Sequence, residues 1–338
     1  MSNEAVSAIP DASGNLERAH YQNLGLIAGP AIFAMMMIGG AFQDTMSTEA
    51  WRTAAVALWM AVWWATEAIP VPVTAFLPII TFNLLGIATL KEAAAPYSNP
   101  IIYLFLGAFL LAIAVERWNL HKRIALMILS RTGTDGRRLI AGFMAVAALL
   151  SMWMTNTSTT MMLLPIGMSV VTVIVTNVEG LSDARKAAFQ TAMLLGLAFA
   201  ATIGGLATLV GTPPNALLVA FLAEYYGIEI GFAQWMMVGV PVSMMMLPLA
   251  WWILTRVVYQ VDIPESEAAR EHLEAMKKDL GPMTAPEKRV ACIFIAVIIA
   301  WILRRLGLIG RACRIQALLW PQLCFCFFCP AVLNLNLN

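Results

Sequence analysis

Two stretches of this chain carry no charge, yet neither fits a single straight membrane helix. From Leu139 to Val178 no residue is charged, but the centre, Ser151-Met152-Trp153-Met154-Thr155-Asn156-Thr157-Ser158-Thr159-Thr160, holds six hydroxyls and an amide. The apolar arms on either side are about 15 and about 18 residues long, each short of the roughly 20 that a helix needs to cross a bilayer. The pattern predicts a re-entrant helical hairpin over about 139–178. Its two helices meet in mid-membrane at a polar tip, which supplies partners for the backbone groups freed there. The second stretch, Ala187 to Ala223, is a 37-residue run without a charge, too long for one straight crossing. It contains Gly204-Gly205 and then Gly211-Thr212-Pro213-Pro214-Asn215. The proline pair is expected to unwind it into a discontinuous helix over about 187–223.

Composition sets the class. Hydrophobic residues make up 60% of the chain and charged residues 12%, about half the usual soluble share. The fold class read from this is an all-α polytopic membrane protein. The net charge of +1 gives no reason to expect a nucleic-acid partner. Apolar runs place spans at Leu24 to Phe42, about Thr53 to Ile69, about Val73 to Ala88, Pro100 to Val115, about Phe232 to Leu254 and Val290 to Leu303. The chain is accordingly read as a cytoplasmic segment 1–23, a membrane region over 24–258, a cytoplasmic loop 259–288, a last helix at 289–306, and an aberrant tail 307–338. With the N-terminus inside and the hairpin returning to its side of entry, the inner segments hold 15 Lys and Arg and the outer loops two, Arg52 and Lys91. That bias predicts a multi-pass protein of a cell inner membrane with a cytoplasmic N-terminus.

Broken helix ends near the bilayer midplane are where transporters hold ions and anionic substrates. Oxygen-only groups at the tip suit a hard cation such as sodium. Helix N-termini and hydroxyls suit a carboxylate without any buried arginine, and neither uncharged stretch contains Lys or Arg. Co-bound cations are the natural source of compensating charge for a dianion. Glu67, near the end of the second span, is read as a structural hydrogen-bonding residue, and Cys292, inside an apolar run, as a packing residue. The three histidines, His20, His121 and His272, fall in expected loops, and no His-Glu-Xaa-Xaa-His or Gly-Xaa-Ser-Xaa-Gly is present. An intramembrane enzyme, which needs clustered catalytic groups at membrane depth, is thereby disfavoured.

These residues resemble the divalent anion:sodium symporter family, the sodium-coupled dicarboxylate transporters. The family places Ser-Asn-Thr at each of two re-entrant hairpin tips. Thr155-Asn156-Thr157 matches the first, with threonine keeping the hydroxyl of the serine, and the segments at 64–70 and 211–215 look like family sequence. The resemblance implies that Ser151, Thr155, Asn156 and Gly211 hold a sodium ion, and that Thr155, Asn156, Thr157, Thr212 and Pro213 contact substrate carboxylate. It further implies a homodimer in membrane lipid whose transport domain moves by an elevator motion, taking up small dicarboxylates such as succinate, malate or fumarate. A sodium-independent anion exchanger and a non-transporting membrane fragment are the alternatives. The chain departs from the family in carrying one repeat plus one helix, without the second hairpin. Its tail, with Cys313, Cys324, Cys326 and Cys329, is read as the product of a frameshift.

Overall fold

The computed structural model describes residues 19–42, 45–178 and 181–303. The predicted N-terminal segment up to residue 18 and the tail 307–338 with its four cysteines lie outside the described residues. The regular elements among the described residues are all helices, without a strand, as the apolar runs require. The described residues fall into two compact units, divided between Asn99 and Pro100.

In the first unit, α1 (His20–Gly39) and α2 (Thr48–Thr66) pack antiparallel. Glycines make the approach possible. A methyl at Gly25 would strike Thr66, and one at Gly29 would strike Trp59 and Trp63. Such small-residue spacing lets membrane helices touch where lipid gives no hydrophobic drive. The Trp51 indole donates to the Met36 carbonyl at 2.7 Å and closes the other end of the pair. α2 stops at Glu67, whose φ of 46° is left-handed and unusual for a residue with a Cβ. The Glu67 side chain is exposed, so its structural role is that of the backbone turn ending α2. The expected span at 73–88 is instead two short helices, α3 (Val71–Thr74) and α4 (Leu77–Leu84), followed by α5 (Leu90–Ala94). Pro72 and Pro78 sit in the first turns of α3 and α4. A proline there is tolerated, but its ring cannot follow another helical turn.

The second unit begins with α6 (Pro100–Arg117) and α7 (Leu120–Leu129) and continues into α8 (Gly136–Ser151), α9 (Asn156–Asn177) and α10 (Asp183–Leu206). α8 and α9 form a helical hairpin over the stretch 139–178. Phe143 and Gly167, equidistant in sequence from Thr155, face one another across it. α10 runs parallel to α8, with Gly196 against Ile140 and Met144 and Gly204 against the backbone of Ala148. Phe143, Phe189, Leu139, Ile140, Met144, Leu163 and Met193 form a core with almost no exposed surface. One arm differs from expectation. α9 has 22 residues and is long and apolar enough to cross a membrane by itself, because Asn156 to Thr160 continue the helix instead of belonging to the tip. Thr160 turns its hydroxyl onto the Asn156 carbonyl at 2.8 Å, so its polarity is spent inside the helix.

After α11 (Pro213–Tyr226) come α12 (Phe232–Trp252), which ends in a π-helical turn at Ile253–Val258, then α13 (Glu267–Asp279) and α14 (Ala285–Leu303). Four helical stretches among the described residues are long and apolar enough to cross a membrane: His20–Phe42, Asn156–Asn177, Asp183–Leu206 and Phe232–Val258. The stretch between the expected span at 100–115 and the hairpin at 139–178 contains α7, and the expected loop 259–288 contains α13; the two helices bury Leu126, Leu129, Ala269 and Leu273. All three histidines are therefore helical, not in loops. His121 is buried in α7, and His272 in α13 lies 3.3 Å from the Ser169 hydroxyl. Cys292 is exposed rather than packed.

The mouth of the hairpin is held from two sides. The Gly136 amide donates to the Ile263 carbonyl at 3.1 Å, and the Trp251 indole donates to the Arg137 carbonyl at 2.9 Å. Nearby, Arg123 of α7 pairs with Glu287 of α14 at 3.1 Å and donates to the Leu280 and Gly281 carbonyls. Removing the guanidinium leaves a buried carboxylate unpaired, which costs about 3–5 kcal/mol. Arg123→Met is therefore expected to lower the melting temperature sharply in detergent, and a second change, Glu287→Leu, to restore much of it. Burial holds the His121 pKa below its ordinary value, against the weaker opposing pull of the Val115 carbonyl. The unfolded chain takes up the proton below about pH 6.5, so stability falls as pH drops through that range. His121→Gln should flatten that pH dependence of thermal unfolding.

Candidate ion and anion site

The site is built where two helices break side by side. α8 ends at Ser151, four residues turn the chain, and α9 starts at Asn156. Thr155 is extended and caps α9, its hydroxyl accepting from the Ser158 amide at 3.2 Å and donating to the Ser158 hydroxyl at 2.9 Å. Ser151 is fully buried, and its hydroxyl donates to Asn156 Oδ1 at 2.7 Å, which fixes the amide's orientation. On the same face, one turn further along α9, Thr159 is fully buried and its hydroxyl has no hydrogen-bond partner.

The second break spans Ala207 to Thr212, between α10 and α11. It precedes the prolines. Pro213 and Pro214 are the first residues of α11, and Thr212 before them is extended at φ −147° and ψ 140°. This corrects the expectation that the proline pair itself unwinds the helix. A residue preceding proline is driven out of the helical region, whereas proline fits a helix's first turn. The carbonyls freed at the end of α10 all find donors. Ser243 and Trp235 of α12 donate to Ile203 and Leu206 at 2.8 and 3.0 Å. The Asn215 amide donates to Gly205 and Thr208 at 2.9 and 2.8 Å. Thr208, fully buried, donates to the Met152 carbonyl and accepts from the Gly211 amide at 3.1 Å.

Gly205 and Gly211 mark the place where the breaks meet. A Cβ on Gly205 would lie 2.6 Å from Asn156 Oδ1 and 3.3 Å from the Gly211 carbonyl oxygen. A Cβ on Gly211 would lie 2.5 Å from the Gly205 carbonyl oxygen and 2.8 Å from that of Ser151. Both glycines are thus required by close backbone approach. The result is a buried group of neutral oxygens from Ser151, Asn156, Gly205 and Gly211. That donor set, without thiolate or imidazole, suits a hard monovalent or divalent cation. Among the described residues no three His, Cys, Asp or Glu side chains gather into a metal site.

Of the residues expected to hold an ion, the structure gathers Ser151, Asn156 and Gly211, while the Thr155 hydroxyl is committed to capping α9. Of those expected to meet an anion, Thr157 and Pro213 are exposed, and Thr155, Asn156 and Thr212 are half-buried. The Thr212 hydroxyl makes no capping bond to α11. The two helix N-termini differ in kind. α9 presents backbone N–H groups, but α11 starts with two residues that have none. Beside the tip, Trp153 packs against Phe232, Phe294 and Trp301 with ring centroids 5.4–6.2 Å apart. Sequence reasoning assigned no role to Gly205, Thr208, Asn215, Trp235 or Ser243. The glycine pair and the asparagine after Pro-Pro were visible signals, whereas the α12 donors were not.

Residues 20–317 match the family description "Sodium:sulfate symporter transmembrane region". The chain is 38% identical over 288 residues to a protein of Staphylococcus aureus (strain bovine RF122 / ET3-1) named sodium-dependent dicarboxylate transporter SdcS. It is also 38% identical over 285 residues to the protein of that name from Staphylococcus saprophyticus. Each match covers 84% of this chain and 54% of the relative, so the chain spans about half the length of the curated relatives it matches. A family match across residues 20–317, with relatives 38% identical over 84% of the chain, shows that this protein belongs to the divalent anion:sodium symporter family.

Proposed function

We propose that the chain carries half of a sodium-coupled carrier for small dicarboxylates. Ser151, Asn156 and the Gly211 carbonyl hold sodium, with Thr155 contributing through its place at the tip. The anion lies over Thr155, Asn156, Thr157, Thr212 and Pro213. The observation that carries this reading is the packing of Gly205 and Gly211 against Asn156 and Ser151, so close that a methyl group on either glycine would strike oxygens of both breaks. The relatives' printed name, sodium-dependent dicarboxylate transporter, supports both the ion and the substrate class.

Coupling follows from assembly of the site. The oxygens come from two separate chain breaks, so an ion bridging them favours one relative arrangement over others. The cation also supplies the positive charge that a dianion needs in a region without arginine or lysine. The first anion contacts are the free amides of the α9 N-terminus and the hydroxyls of Thr157 and Thr212. The strong excess of Lys and Arg on one side supports an inner-membrane protein with a cytoplasmic N-terminus. Homodimer assembly and an elevator motion of the domain bearing the hairpin complete the reading.

Two measurements test it. Purified chain in lipid nanodiscs is titrated with radioactive sodium in potassium or choline background. Saturable binding is expected, weakened at least about tenfold by Asn156→Ala, which removes a charge-assisted contact. Gly205→Ala should abolish it, since its methyl would lie 2.6 Å from Asn156 Oδ1 and displace that oxygen. Binding equal in wild type and both variants would contradict the site. Uptake of labelled succinate by cells expressing the protein should require sodium and fail with Asn156→Ala; uptake independent of sodium would instead mark an exchanger.

A further inference from the structure

We infer that Thr208 is the positioning residue through which the hairpin tip and the α10–α11 turn act as one ion-binding unit. The inference rests on the sodium site proposed above and names what sets its affinity. Thr208 itself contributes no atom to the group of oxygens around Gly205. Its hydroxyl bridges the two breaks: the Gly211 amide donates to it, and it donates to the Met152 carbonyl of the hairpin tip. It is the one side-chain hydroxyl among the described hydrogen bonds that joins both breaks, and it is fully buried.

The geometry explains why such a bridge matters. Gly211 supplies a carbonyl to the proposed site, yet glycine is the residue with the greatest backbone freedom. Two restraints remove that freedom. On its N-terminal side the amide is tied to Thr208. On its C-terminal side Thr212 is held extended by the proline that follows. The Asn215 amide then anchors the Thr208 carbonyl itself, so the bridging residue is fixed at its backbone as well as at its side chain. The donor chain runs from the Gly211 N–H through the Thr208 hydroxyl to the Met152 C=O, head to tail, and each bond polarises the next. The tip's position and the direction of the Gly211 carbonyl are thereby set together. A carbonyl already aimed at the ion spends none of the ion's binding energy on ordering.

The test is sodium binding by the whole chain in nanodiscs, measured for wild type, Thr208→Ser and Thr208→Val, with the sodium-to-lithium affinity ratio and the melting temperature in sodium-free buffer. Valine keeps the shape and deletes the hydroxyl, orphaning a buried amide and a buried carbonyl. The expected result is at least about a tenfold rise in the sodium dissociation constant, with altered preference against lithium. Serine, which keeps both hydrogen bonds, should stay within about threefold of wild type. A purely structural role would lower the sodium-free melting temperature while leaving sodium affinity and ion preference unchanged, and that result would overturn the inference. So would a serine variant as weak as the valine one. Should the valine protein not fold, Thr208→Cys replaces it: a thiol is a weak donor of similar size and should weaken binding, whereas unchanged affinity overturns the inference. A wild-type chain that binds no sodium fails the underlying site, a result distinct from a binding wild type with an indifferent Thr208→Val.

Discussion

A helix that breaks in an apolar surround frees N–H and C=O groups that have no water to turn to, and the second unit of this structure is arranged around meeting that demand. Each unmet group costs several kcal/mol there, so a break survives only where neighbouring segments supply partners. Two breaks set against each other supply partners to one another. Thr208 serves the hairpin's carbonyl, and the glycine backbones approach closely enough for the Ser151 and Gly205 carbonyls to share one small volume. α12 completes the accounting from outside with an indole and a hydroxyl aimed at the end of α10. The groups that meet at the junction are all neutral oxygens, the kind of donor set the proposed sodium site requires.

The same constraint explains why the site is neutral. A carboxylate in this position would need its own compensating charge within the apolar interior. A cluster of amide and hydroxyl oxygens holds a monovalent ion by dipoles alone and can exist without it. On the proposed reading, charge enters only with the ligands, and ion and anion then depend on each other.

Much of this was legible in the sequence. The polar island at 151–160 and the Gly-Thr-Pro-Pro-Asn segment marked both breaks, because polarity without charge in a long apolar run has few structural outlets. The boundaries were less legible. Asn156 to Thr160 read as loop by polarity, yet in a helix threonine can return its hydroxyl to the preceding turn, as Thr160 does, so hydroxyl content did not stop the helix. The proline pair read as a breaker, yet it starts α11, since proline's missing amide is harmless in a first turn. α7 and α13 were hidden because their apolar residues are diluted by charge. Trp235 and Ser243 could not be found from spacing, since their partners lie about 30 and 40 residues away in sequence.

The ties at the hairpin mouth have a mechanical corollary. Gly136 and Arg137 begin α8, and both are bonded to chain that follows α9 by many residues, at Ile263 and Trp251. The connector between α12 and α13 is thus strapped to the hairpin's base and is not a slack tether. If α8 slides or tilts as a rigid rod, residues 251–263 and the π-helical turn between the two ties at Ile253–Val258 are carried with it, and strain falls on α12 before Trp251 and on the chain after Ile263.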